Sequence, residues 1–309
     1  MRINKKLVKA ILVFYIFFLN QSIAIENKIL FKVNNQIITT IDVLNEINYL
    51  SLINSDFRKL DEQKIYEVSK NSLIREKIKE IDLKKQFVKL ELKDEFLNEL
   101  IKNYSRRIGF KNTDDFIIEL KKNNIKKDVV IKKITIEAFW NQLILDKFLK
   151  NVKINEISIK KELQSQKIQR EYLLSEIFFG LETNNGLDNK INLIKKAISE
   201  EGFSKAALVH SISDTSNSGG KLDWINEASL NIKIKSALNN LEIGAHTEPI
   251  LLPGGYLILK INDIKEVVKE INYEKEFEKV KRAKTNEQLN IMSNLYFNKI
   301  KKNIIINEL

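Results

Sequence analysis

All but one of the nine glycines, and both prolines, of this 309-residue chain fall between residues 180 and 255. Glycine permits a positive φ and proline removes a donor, so tight turns gather where they stand, and a long stretch without them is free to run as helix. The chain is thereby divided into a turn-rich centre and two helix-permissive ends. From Ile41 to about Leu163 apolar residues recur at helical steps, as in Ile65, Val68, Leu73, Ile78 and Ile81, and again in Phe139, Leu143 and Phe148. Gly109 and the Asn123-Asn124 pair break this stretch into shorter helices. After Glu266 the helical pattern returns, with Phe277, Val280, Ile291, Leu295 and Ile300 forming a stripe to the end. Such a helix is unstable alone in water, so it must dock, and the N-terminal helices are the available partner.

The turn-bearing segments read as strands and short helices. Ile29 to Ile38 is a hairpin around Asn34-Asn35, because Asn tolerates the positive φ of a tight turn. Thr39 or Thr40 caps the helix that follows. In the centre, Arg170 to Phe179 is a strand with Tyr172, Leu174, Glu176 and Phe178 on one face. A helix carrying Ile191, Ile194 and Ile198 ends at Gly202, and a short one, Phe203 to Val209, leads into the polar run Ser211 to Gly220. Leu222 and Trp224 mark a small strand, Leu230 to Leu241 another helix, and Glu248 to Leu252 and Tyr256 to Ile261 a second hairpin. The fold class is therefore α+β: a mostly helical N-terminal body, completed by the C-terminal helix, with one inserted α+β domain. The expected division is 1–24, 25–167, 168–266 and 267–309.

The first 24 residues carry an address. Arg2, Lys5, Lys6 and Lys9 precede the apolar run Leu7 to Leu19, and Ser22-Ile23-Ala24 offers small residues where an exporting peptidase cuts. This is the pattern of a cleavable signal peptide, shorter than the roughly 20 apolar residues that span a bilayer, so the mature chain is expected to start near Ile25 in the periplasm. Absence of cysteine excludes a disulfide framework and a thiol nucleophile. With only His210 and His246, a multi-histidine metal site is excluded; no metal and no cofactor are expected. The net charge of +11 is spread along helices rather than gathered in a block, which argues for solvated lysine faces and against nucleic acid, and allows a weak attraction to anionic membrane.

Arg170 to Lys265 resembles a parvulin-type (PpiC) peptidyl-prolyl isomerase domain. The residues that carry the likeness are Ser211 to Gly220 running into Lys221-Leu222-Asp223-Trp224, then Ala237-Leu238, Gly244, Glu248-Pro249-Ile250 and Gly255 to Ile261. The N-terminal part is similar to the SurA family in its Val33-Asn34-Asn35 hairpin, Thr40 to Val43, and Leu73 to Lys77. The resemblance implies a folding factor that binds unfolded or extended polypeptides, outer-membrane protein precursors among them, in an apolar groove of its helical body with an uncharged floor and without ATP. No phosphate-cradling glycine loop is present in the sequence. It further implies a proline pocket at Leu222, Leu230, Ile234 and Leu257, with Asp214 beside the rotating amide. The family's two central histidines fall on Glu176 and Leu257. Their replacement implies weak or lost isomerase catalysis, with Asp214 and Glu176 as the degenerate remnant of the site. His210 and His246 lie elsewhere by alignment and do not replace them. Two alternatives stand beside this: an active isomerase working on X–Pro bonds of exported proteins, and a membrane-anchored interaction protein that keeps its leader.

Overall fold

A computed structural model describes residues 26–165, 168–180, 186–268 and 273–309. The leader and the start near Ile25 lie outside the described residues. β1 (Ile29–Val33) and β2 (Gln36–Thr39) form the first hairpin, turning through Asn34 at φ 51°. Thr39 then caps α1 (Thr40–Ile53): its hydroxyl accepts from the Asp42 backbone N–H, while the Asp42 carboxylate accepts from the Thr39 N–H at 2.8 Å. This reciprocal box satisfies two donors that the helix start would otherwise leave open.

Four further helices follow: α2 (Glu62–Gln86), α3 (Asp94–Arg107), α4 (Thr113–Lys122) and α5 (Lys127–Phe148). Gly109 at φ 100° and Asn124 at φ 55° sit at the breaks after α3 and α4. After α6 (Glu156–Ser165) the chain enters the central domain, and it returns as α10 (Tyr273–Lys301). That long helix packs on α5, α6 and α2. Trp140 of α5 is fully buried, meets Tyr296 of α10 in a tilted contact and Phe297 edge-on, and donates its indole N–H to Ser293 at 2.8 Å. Fully burying side chains of this kind contributes about 1.5–3 kcal/mol each, which is what fixes the last helix to the body.

The chain then ends in a strand that the helical pattern did not announce. β7 (Ile306–Glu308) pairs antiparallel with β1, placing Phe31 opposite Glu308 and Val33 opposite Ile306, so the sheet order is β2-β1-β7. Both ends of the described chain thus share one sheet. It covers a core of Phe31, Val33, Ile38, Leu83, Trp140 and Phe297. A second core, around Phe57, Phe116, Leu120 and Tyr49, holds α3 and α4 to the body.

The central domain is a four-stranded antiparallel sheet in the order β4-β3-β6-β5. Its spine is β3 (Ile168–Phe179) paired along its whole length with β6 (Gly255–Val268). The second hairpin, expected to end at Ile261, continues seven residues further because, past a bulge that leaves Asn262 unpaired opposite Leu173/Leu174, Asp263 to Val268 each find a ladder partner on β3. β4 (Lys221–Asn226) and β5 (Ile250–Leu252) complete the edges. On one face α7 (Leu187–Glu201) and α8 (Phe203–His210) cover Ile177, Phe179 and Ile258. On the other, α9 (Ile232–Leu238) covers Tyr172, Leu174, Leu257 and Leu259. The α+β class read from the sequence is the class of the structure.

Candidate functional site

The polar run between α8 and β4 folds as a strap over β3. Ile212 N–H donates to the Phe178 carbonyl at 2.7 Å, and the Ser211 hydroxyl accepts from the Phe178 N–H at 3.1 Å. Inside the strap, hydroxyls run in series: Ser211 to Ser213 at 3.1 Å, Ser213 to Thr215 at 2.7 Å, and Thr215 donating to the Glu176 carboxylate at 2.8 Å. Gly220 closes it at φ 74°, where a Cβ would lie 2.1 Å from the Glu176 carbonyl oxygen; only glycine lets the backbones approach so closely. Burial pushes the Glu176 carboxyl above its usual range; hydrogen bonds from Thr215 and Ser213 pull the other way without cancelling it, and nearby Asp214 adds a smaller push. A group held toward its neutral form thus occupies one of the two positions where the resemblance expects a histidine.

Asp214, two residues before the strap's short helical turn at Ser216–Ser218, faces away from Glu176 and onto α2. Lys79 reaches its carboxylate at 2.8 Å and Arg75 at 3.1 Å, while a second Arg75 nitrogen donates to the Ile212 carbonyl. Lys79 also meets Glu137 of α5 at 2.8 Å. Further along the same stripe of α2, Ser72 accepts from the Asn217 side-chain amide at 3.0 Å, and Asn54, just past α1, donates to the Asn217 carbonyl at 3.4 Å. Burial works against the Asp214 charge, but Lys79 and Arg75 outweigh it and bring the carboxyl down to about 2. Burial likewise works against Lys79, and Asp214 and Glu137 outweigh it, so the ammonium titrates above its usual value.

The four apolar positions lie in one cluster. Leu230, Ile234 and Leu257 are buried together beside Tyr172 and Phe178, with Leu222 half-buried against them. α10 runs along this part of the domain. Its Glu287 accepts from Asn231 at 2.7 Å, its Lys284 donates to the Leu230 carbonyl at 3.2 Å, and its Leu295 packs so close to Gly254 that a Cβ there would lie 2.9 Å away. The strap and the apolar cluster are therefore both met by the helical body: the first by α2, the second by α10. A rotating X–Pro amide needs an open pocket and donors aimed at it; here the aspartate is committed to an interdomain ion pair.

His246 hydrogen-bonds through Nδ1 with the Thr247 carbonyl at 3.1 Å, and His210 closes α8, drawn down to about 4 by burial with Lys190 adding to it. Among the described residues no cluster of histidine, aspartate and glutamate could hold a metal ion, and no helix is long and apolar enough to cross a membrane. Reading the sequence alone missed Arg75 and Lys79 as partners of Asp214. Their signal was the polar stripe Ser72, Arg75, Lys79 at three- and four-residue steps on a helix whose other side is apolar.

The body carries a groove of about 330 Å3 between the end of α2, the segment after it and α5. Phe87, Val88, Leu90 and Ile131 line it, with Lys84 and Asp128 among them. The floor is thus apolar with charges interspersed, where the sequence had suggested an uncharged one; the alternation of lysines and acids along α2 and α5 brings those charges to the same wall.

A rotamase family model, the PPIC-type PPIASE domain, matches residues 179–263. The inserted domain is accordingly a PpiC-type rotamase domain on a helical body. Two curated relatives, each named Chaperone SurA, from Pseudomonas putida and Pseudomonas aeruginosa, are 23% identical over 189 and 185 residues. Each match covers 56% of this chain and 43% or 44% of the relative, so the aligned part spans less than half the length of those proteins. Among solved structures, a SurA-like chaperone of Campylobacter jejuni is 19% identical with a TM-score of 0.36, covering 92% of this chain and 99% of that one. A peptidylprolyl isomerase, PrsA, of Bacillus anthracis is 19% identical with a TM-score of 0.32, covering 76% and 98%. The match to the rotamase model is confined to the inserted domain, and the chain is similar to SurA chaperones.

Proposed function

We propose that this protein is a periplasmic folding factor that holds unfolded exported chains, outer-membrane protein precursors among them, on its helical body. The domains that do this are 25–167 and 267–309, with 168–266 as an insert whose isomerase chemistry is weak or lost. The observation that carries the reading is the closed body: both ends of the described chain meet in one sheet, α10 docks on α2 and α5, and a groove of apolar side chains with charges among them opens beside them. Burial of client side chains there contributes roughly 25 cal/mol per Å2 of apolar surface, which grips an extended chain without a nucleotide cycle. The second family histidine position is Leu257, inside the apolar cluster, and Glu176 stands at the first, so the usual pair of switchable rings around the amide is missing. The basic start, the apolar run and Ser22-Ile23-Ala24 of the sequence support that compartment.

Light scattering from a chemically unfolded outer-membrane protein diluted out of urea tests this. Stoichiometric full-length protein is expected to suppress the scattering without ATP; scattering equal to that with serum albumin rejects the reading. A second reading, an active isomerase, is favoured by the grouping of Leu222, Leu230, Ile234 and Leu257 beside the strap that bears Asp214. A proline-peptide isomerisation assay on the full chain decides it, and a rate equal to the uncatalysed one, tens to hundreds of seconds, removes it.

A further inference from the structure

The contact between α2 and the strap has the composition of a peptide site rather than of a domain interface. What α2 recognises is a main-chain carbonyl, that of Ile212, and a carboxylate, that of Asp214, both through Arg75, with Lys79 on the same carboxylate at 2.8 Å. Ser72 and Asn54 add hydrogen bonds to the side chain and backbone of Asn217. The segment enters extended at Ser211, φ −79° and ψ 137°, and bends at Asp214 into the short helical turn Ser216–Ser218 that carries Asn217. Nothing in these contacts needs the rotamase fold, because any acidic segment that can bend in the same way offers the same groups. The two cations, moreover, are placed by the body itself. The Arg75 guanidinium lies over the Phe297 ring at 5.0 Å, and the Lys79 ammonium over Trp140 at 5.3 Å. Glu137 of α5 answers one of the two positive charges. With the strap withdrawn, the site therefore keeps one uncompensated positive charge, which one carboxylate neutralises.

We propose that the stripe Ser72, Arg75 and Lys79 on α2 is a binding site for acidic, turn-forming polypeptide segments, and that residues 211–217 occupy it as an internal stand-in for such a segment. The inference rests on the folding-factor reading and deepens it by naming a chemical class of client segment and the loop that competes with it. A tethered loop acts at an effective concentration on the order of millimolar, so an isolated peptide binds the closed protein weakly, whereas a client presenting many acidic segments displaces the strap.

The probe is a fluorescein-labelled, end-capped peptide copying residues 211–217, with a twin in which its aspartate is asparagine. Anisotropy is measured on the full chain as wild type, as Asp214→Lys, whose added cation expels the strap, and as Asp214→Lys combined with Arg75→Ala. The expected result is binding at least about tenfold tighter to Asp214→Lys than to wild type, loss of that gain with Arg75→Ala, and no gain for the asparagine twin. Equal binding of the two peptides, or no gain in Asp214→Lys, overturns the site. Should Asp214→Lys not fold, amide exchange on wild type decides: excess acidic peptide speeds exchange at residues 211–217 and the twin does not, and identical exchange with both rejects the site. Client scattering is measured on the same samples. Suppression without carboxylate-dependent peptide binding rejects this site and leaves the folding-factor reading standing; peptide binding without suppression does the reverse.

Discussion

Glu176 on β3 and Asp214 in the strap that crosses it are neighbours, yet their surroundings push them in opposite directions. The Glu176 carboxyl titrates high because burial disfavours its charge. A raised folded-state value contributes stability that is present below the unfolded value, about 4.3, and is lost as pH rises through the folded one. Glu176→Gln keeps the acceptor for Thr215 and removes that loss. Its Tm is expected to exceed that of wild type by about 2–4 °C at pH 7 and to equal it near pH 4 and below, read by circular dichroism at both pH values. Asp214 has the opposite sign. Its folded value, about 2, lies below the unfolded one of about 3.9, so its contribution to docking is complete above pH 4 and lost as pH falls from there through about 2. Small-angle scattering is expected to show a constant radius of gyration from pH 7 to about 4.5 and an increase below it; expansion already complete at pH 5 contradicts the Asp214 latch. Both carboxylates can be singled out in the sequence, Asp214 by the strap's motif and Glu176 by its place in the first strand of the domain. The partners of Asp214 on α2 cannot. Arg75 and Lys79 sit in a lysine-rich helix where a solvated face and a buried ion pair have the same spelling, and only the fold brings a residue 135 positions away onto them.

At the scale of elements, α10 fastens the body, and the hydrogen bond from Trp140 to Ser293 is its one polar pin inside the apolar seam with α5. Ser293→Ala leaves a buried indole N–H without an acceptor, which costs about 1–3 kcal/mol; urea unfolding is expected to show that loss with an unchanged m-value. A loss below about 0.3 kcal/mol would mean that the seam is open to water. The docking of this helix was readable in advance, since its apolar stripe had no other place to go. β7 was not, because a three-residue strand has too little sequence to show a period, and Ile304-Ile305-Ile306 reads equally well as the tail of a helix. What makes it a strand is the open edge of β1, an object of tertiary structure.

At the scale of the molecule, the turn-rich centre is inserted into a body whose ends meet, and that body closes over the insert from two sides: α2 on the strap, α10 beside the apolar cluster. The arrangement leaves the groove of the body apart from the rotamase insert. The central claim is that clients are held in the groove of the body. Photo-crosslinking tests it most directly, with p-benzoylphenylalanine placed at Val88 in the groove, 103% exposed, or at Ile232 on the insert, 80% exposed. With an unfolded outer-membrane protein as client, strong crosslinking from Val88 and little from Ile232 are expected. Equal yields from both, or crosslinks from Ile232 alone, would contradict it.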